Sequence, residues 1–184
     1  MDIPIDLSST IIETERLILR PWQEADLHDF NAYASVPGVG EMAGWPHHKS
    51  LEESRQILQM FIGSKNELAL FHRQDNKVIG SFGIKNSNWA NEDEQYAHLK
   101  MKDLGYVVAK DYWGQGLAAE AAKAAINFCF TQLGLDAITC GHFKTNPQSR
   151  RVIEKCGFKL AGEGTFYSNQ LQQHFDVVNY ILKK

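Results

Sequence analysis

The stretch LGYVVAKDYWGQGLAAEAAKAAINF, residues 104–128, constrains this chain more than any other. It reads as an apolar strand, a short polar turn, two glycines one residue apart, and a helix built largely on alanine. The small side chains let the helix lie close to a neighbouring strand. Its polar positions, Glu120, Lys123, Asn127 and Thr131, recur every three or four residues and leave a narrow wet stripe beside a wide buried face. Gly134 sits where a helix of this length would close. The first turn of such a helix carries backbone N–H groups without intrahelical acceptors and the positive end of the dipole. Glycines allow close approach of a ligand because no Cβ intervenes.

Two ligand chemistries use this outline, and a tight turn with no ligand is the plain alternative. The first is dinucleotide binding. Gly114-Gln115-Gly116-Leu117-Ala118-Ala119 fits G-x-G-x-x-G/A, and Asp136 follows about 20 residues on. The context opposes it. Lys110 to Trp113 separate the strand from the first glycine, and Asp136 precedes the strand-like AITCGHF instead of ending it. The second chemistry is a coenzyme A pyrophosphate held on the helix N-terminus by the N–H groups of Gln115, Gly116, Leu117, Ala118 and Ala119.

The rest of the chain supplies the frame. Its 184 residues suit a single domain with one well-buried core. ERLILRP (15–21) reads as a strand, and residues 23–35 follow with helical spacing of Leu27, Phe30 and Ala34. An irregular Gly/Pro/Trp stretch ends at a capping box of Ser50 and Glu53, which opens a helix with Ile57, Met60 and Phe61 on its apolar side. Residues 67–84 read as a hairpin around Gln74-Asp75-Asn76. NSNWANEDEQ is a polar loop, 97–109 a strand, 137–143 a strand, 146–158 a short helix with a strand entry, and 175–182 the last strand. The order, β-α-α-β-β-β-α-β-α-β-β, implies an α/β (α+β) fold with a mixed sheet.

Composition removes several classes. The formal net charge is -3 and no basic stripe appears, so nucleic acid is not an expected partner. The first residues lack a secretory pattern, and no run of apolar residues is long enough to span a membrane. Cys129, Cys140 and Cys156 are odd in number and far apart, which reads as three buried thiols in a reducing cytoplasm, with no disulfide framework and no zinc site.

Taken with Trp113-Gly114-Gln115-Gly116-Leu117-Ala118, the opening ETERLILRPWQEADL and the closing N-x-x-S…EKCGF carry a family resemblance. The chain resembles the GCN5-related N-acetyltransferases (GNAT), in their ribosomal-protein N-terminal (RimJ/RimL-like) branch, over roughly residues 13 to 182. Their signature is Q/R-x-x-G-x-G/A; Trp113 stands where Gln or Arg is usual, which matters little if backbone N–H groups make the contacts. The resemblance implies a twisted mixed sheet of about seven strands with about four helices, split between its fourth and fifth strands. Acetyl-CoA would lie in the split without a metal, its pantetheine on the backbone of Val107 and Val108 and its pyrophosphate on the turn from Trp113 to Ala119. The implied reaction is direct attack of a primary amine, from a protein N-terminus or a small molecule, in a ternary complex. Folds of this kind often form homodimers.

For the chemistry, Asn146 and Ser149 stand out. Asn146 is a good N-cap and Pro147 a good first helical residue, which explains both without a ligand. The resemblance implies that Asn146 faces the pantetheine arm and that Ser149 lies near the sulfur. Ile153 occupies the place where many relatives carry a tyrosine acid, so Ser149 is the expected substitute. Asp103 is the candidate base, on a face with Gly105 and Val107 if strand alternation holds. Glu163 matches the branch's acidic base only loosely, and Glu92, Asp93 and Glu94 read as solvated. Trp45 and His47 are candidates for the acceptor pocket, with Trp89 a weaker one. His47-His48 has no accompanying carboxylate spacing for a metal. A non-catalytic acyl-CoA-binding module is the rival reading.

Overall fold

The computed structural model describes residues 3–87 and 94–184. Eight strands form one sheet: β1 (Ile12–Glu13), β2 (Leu17–Pro21), β3 (Glu67–His72), β4 (Lys77–Lys85), β5 (Met101–Val108), β6 (Ala137–Phe143), β7 (Lys159–Ser168) and β8 (Gln173–Lys183). Four α-helices accompany them: α1 (Leu27–Ala34), α2 (Leu51–Ser64), α3 (Leu117–Thr131) and α4 (Pro147–Lys155). The spatial order is β1-β2-β3-β4-β5-β6-β8-β7. All neighbours are antiparallel except β5 and β6, which are parallel and joined through α3. That connection is the crossover a parallel pair requires.

The central strands are buried on both faces. β4, KVIGSFGIK, is exposed only at its two lysines. One face carries Leu17, Leu19, Leu68, Leu70 and Phe82 into a cluster with the alanine side of α3 and with Ile153 of α4. The other face carries Ala69 and Val78 into a cluster with Trp22, Phe30 and Leu58 from the segment ahead of α1 and from α1 and α2. The helices therefore sandwich the sheet, which is the mixed α/β architecture expected.

Several local expectations shift. The α2 cap is half of a box: Ser50 Oγ accepts from Glu53 N at 3.1 Å, but the Glu53 carboxylate accepts from Lys49 N. Leu58 is the fully buried apolar residue of α2, while Met60 is exposed. The strand expected over 97–109 begins at Met101. The strand after α4 runs ten residues as β7, an exposed edge strand specified by its pairing with β8. With the two-residue β1 this makes eight strands where about seven were expected. Cys156 is half-buried, unlike Cys129 and Cys140. Trp89, Glu92 and Asp93 lie outside the described residues. Among the described residues, no helix is long and apolar enough to cross a membrane.

The burial pattern of α2 makes a stability prediction. Leu58→Ala should cost about 2–5 kcal/mol, the range for a large-to-small change in a packed core. Met60→Ala should stay within about 0.5 kcal/mol. Urea unfolding of both variants would check the contrast.

Candidate active site

The site begins where β5 and β6 part. Their Cα pairing covers only Met101–Ala137, Lys102–Ile138 and Asp103–Thr139. Beyond it the two strands diverge, and a cleft of about 1180 Å³ opens between them. The split expected between the fourth and fifth strands is this one, one label later because β1 precedes them. The cleft wall includes Asp103, Tyr106, Val107 and Val108 of β5, and Asn146 and Ser149 at the start of α4. It continues to Trp113, Gly114 and Gly116 to Ala119 of the turn into α3.

The turn needs its glycines. Gly114 and Gly116 take φ of 78° and 80°, the left-handed region that a side chain disfavours. Gly116 is the N-cap of α3 and its carbonyl accepts from Glu120 N at 3.0 Å, so Leu117, Ala118 and Ala119 keep first-turn N–H groups without intrahelical acceptors. The turn is held from both sides. Glu120 accepts from Thr14 Oγ1 (2.6 Å), Arg16 N (2.8 Å) and Arg16 Nε (2.7 Å), and Arg16 Nη1 donates to the Gln115 carbonyl at 3.0 Å. Glu120 thus ties α3 to the segment between β1 and β2, a role beyond complementing the dipole. From the other side, Trp113 Nε1 donates to the Val108 carbonyl at 2.7 Å. The residue that departs from the usual Gln/Arg is therefore a peg between turn and strand. Of the Val107 and Val108 backbone, expected to hold pantetheine, the Val108 carbonyl accepts from this indole and the Val107 carbonyl lies against Gly80 of β4. Gln115 is not among the cleft-lining residues; its side chain donates to the Asp111 carbonyl.

Asp103 sits at the vertex of the split. Thr139 Oγ1 donates to its Oδ1 at 2.6 Å, and Ser87 Oγ lies 2.8 Å from the same threonine hydroxyl. Burial pushes the Asp103 carboxyl from 3.8 up to about 7, against the lowering effects of Thr139 and Lys85. Lys85 is its direct neighbour on β4, yet the lysine ammonium is bound by the buried carboxylate of Glu67. Among the described residues, that leaves Asp103 with a threonine partner and no direct ion pair.

Across the split, Asn146 caps α4, its Oδ1 accepting from Ser149 N at 3.1 Å. Its amide also donates to the Met42 carbonyl at 3.4 Å, which ties the loop after α1 to α4. Ser149 Oγ meets Tyr106 Oη at 2.8 Å. Tyr106 escaped the sequence reading; the alternation of β5 placed it opposite Asp103's face, but nothing along the chain indicated its partner. Trp45 and His47 do not line the cleft. Trp45 packs on Gly40, where an added Cβ would fall 2.2 Å from its ring, and on His48. His47 Nδ1 is 2.8 Å from Glu41 Oε1. Their neighbours Met42 and Ala43 face the cleft instead, beside Phe143, Phe166 and Tyr167. Glu163 lines the cleft but is paired with Lys144 Nζ at 2.7 Å.

A sheet split beside a glycine turn at a helix N-terminus is the arrangement that the resemblance to acetyltransferases implied, and the comparison with known families agrees. The pattern for the acetyltransferase (GNAT) domain matches residues 16–159. The chain belongs to this family of N-acetyltransferases, which use acetyl-CoA. It is similar to the uncharacterized N-acetyltransferase YoaA of Bacillus subtilis, 26% identical over 95% of this chain and 97% of that one. Its fold is similar to the ribosomal-protein-S5-alanine acetyltransferase of Vibrio fischeri, with a TM-score of 0.71 at 18% identity over 95% and 97% of the two chains. It is also similar to the spermidine N-acetyltransferase of Vibrio cholerae in complex with CoA and spermine, with a TM-score of 0.71 at 20% identity over 92% and 96%.

Gly116→Ala should lower stability by about 1–2 kcal/mol through left-handed strain. It should also weaken CoA binding by setting a methyl group in the turn. Thermal unfolding and calorimetric titration with CoA would measure the two effects separately.

Proposed function

We propose that the protein transfers the acetyl group of acetyl-CoA to a primary amine by direct attack in a ternary complex. The observation that carries this reading is the parting of β5 and β6 at Asp103, which joins the anion-binding turn, Ser149 and a carboxylate in one cleft. Acetyl-CoA supplies the activated acyl group. The first-turn N–H groups of Leu117, Ala118 and Ala119 would take its pyrophosphate, and Ser149 would lie near its sulfur.

Asp103 is the base in this reading. An attacking amine must be neutral, and its proton must leave as the new bond forms. A carboxylate raised to about 7 is basic enough to accept that proton directly or through a water. The supporting feature is the Glu67 contact to Lys85, which draws the lysine opposite Asp103 in the β4 register towards another carboxylate. Glu163 is a weaker candidate because it is exposed and paired with Lys144.

The acceptor in this reading carries its amine on an apolar or peptide-like group. Met42, Phe143, Phe166 and Tyr167 give the cleft an apolar, aromatic part of its lining, and Phe143 stacks on Phe175 at 4.3 Å. A long polycation would need a lane of free carboxylates; of the two acidic residues that line the cleft among the described residues, Glu163 is already paired. The relative that carries spermine in its structure is thus a poorer guide to the acceptor than the ribosomal-protein enzyme. The reading also takes the enzyme to be cytoplasmic, consistent with three free thiols.

The test is thiol release from acetyl-CoA with three acceptor groups: ribosomal-protein N-terminal peptides, arylalkyl monoamines and polyamines. Release with either of the first two is expected. Release with polyamines alone would overturn the acceptor reading. Acetyl-CoA binding without release from any amine would favour the non-catalytic module.

The base assignment predicts a pH profile. A base must be unprotonated, so kcat/KM should fall as pH drops below about 7. Asp103→Asn should remove that limb and lower kcat/KM by roughly 10²–10⁴-fold. The folded protein holds this proton more tightly than the unfolded chain, so linkage has the opposite sign for stability. Asp103's stabilising contribution is complete below 3.8 and is lost as pH rises through about 7. The pH dependence of melting in both proteins would show it.

A further inference from the structure

We propose that Tyr106 is a positioning residue for the leaving sulfur: its phenol donates to Ser149 Oγ and so turns the serine's own hydroxyl proton into the split. This rests on the acetyl-transfer reading above. The two hydroxyls come from opposite walls, β5 and α4, and meet at 2.8 Å. The phenol oxygen also lies 3.3 Å from the Ser149 carbonyl, a longer and weaker contact.

The direction of the bond follows from acidity. A phenol is a stronger hydrogen-bond donor than an alkyl hydroxyl, and each group has one proton. When Tyr106 gives its proton to the bond, the serine proton must point elsewhere, and Ser149 lines the cleft. Burial pushes the Tyr106 phenol well above its ordinary value, so it stays protonated and keeps donating. The ring is held for the task. It stacks on Phe82, its register partner on β4, with centroids 6.2 Å apart and planes 19° apart.

The arrangement accounts for the side chain at position 153. Ile153 is 1% exposed and belongs to the core cluster beneath the sheet, so α4 offers no phenol of its own there. The phenol arrives from β5 instead and works through the serine. When the carbon–sulfur bond breaks, its electron pair passes to sulfur, and a serine O–H aimed at that sulfur stabilises the charge. The proton that finally neutralises the thiolate balances the one the amine loses, and it comes from solvent. Outright transfer from Tyr106 would be uphill, because a phenol raised above about 10 is a weaker acid than a thiol near 8.5.

The test reads the bound thiol directly. CoA would be bound to the wild type, Tyr106→Phe, Ser149→Ala and the double variant. The thiol is titrated by its thiolate absorbance, with desulfo-CoA complexes as blanks. The expected result is similar CoA affinity in all four, and a thiol pKa about one unit or more lower in the wild type than in either single variant, the worth of a hydrogen bond to a charged group. The double variant should match Ser149→Ala. Turnover with the best acceptor should show kcat reduced about tenfold in Tyr106→Phe with KM for acetyl-CoA unchanged, one such hydrogen bond being worth about that much. A bound thiol that titrates identically in the wild type and Tyr106→Phe would overturn the proposal, as would single effects that add in the double variant. Failure of the wild type to bind CoA would instead remove the acetyl-transfer reading on which it rests.

Discussion

Everything in the site depends on how briefly β5 and β6 stay paired. Three residues of parallel register hold the vertex, and then the strands part. Parallel pairing is the weaker kind per residue, and a crossover helix is needed to make it at all. The short ladder turns the middle of a sheet, which is normally its most satisfied region, into a place with backbone and side chains to offer. Thr139 has two roles at that vertex. It closes the last rung of the ladder opposite Asp103, and its hydroxyl is the carboxylate's partner. The pairing that stops the sheet from opening further also sets the chemistry of the residue at the fork.

The electrostatics of the cleft are arranged by keeping charges apart as much as by bringing them together. Lys85 and Asp103 are register neighbours on one face, separated by no more than a strand spacing, yet Glu67 on the far side of β4 holds the ammonium. Gly83 makes this feasible. A Cβ there would fall 2.8 Å from Glu67 Oε1 and 2.9 Å from Lys85 Cε. At the other end, Arg16 lies beside the turn with its charge answered by Glu120. Beside the turn, oriented N–H groups and the helix dipole supply positive character, and Arg151 and Lys155 also line the cleft.

The sequence was most legible where local rules and tertiary context agree. The glycine turn could be read because positive φ at Gly114 and Gly116 demands glycine whatever surrounds it. AITCGHF matched β6 to the residue, its apolar Ala137, Ile138 and Cys140 lying in a strand buried over most of its length. Asn146 and Pro147 announced α4 through capping chemistry alone. The rest depended on partners distant in sequence. β7 carries glycines and exposed aromatics and is a strand because β8 pairs with it. Trp45 is a candidate for the acceptor pocket because loops over the split set substrate in the fold the chain resembles; its actual neighbour, Gly40, is close enough in sequence but joins it only through a turn the pattern does not encode. Tyr106 is the clearest case. Alternation gives the face of a strand residue and says nothing of what stands opposite, here a serine 43 residues away.

The peg made by Trp113 reaches further than the turn. Its indole bonds to the end of β5 while its ring packs against both apolar clusters, and Glu120 fastens the start of α3 from the other side. A loop braced in this way has lost its conformational freedom before any anion arrives. Ligand binding then requires little ordering of the backbone, and affinity is governed by contact and desolvation. The association rate would be limited by diffusion and access to the cleft, with no slow loop rearrangement ahead of it. Free and occupied forms would share the same turn, so inhibitors of this pocket can be shaped to one fixed loop.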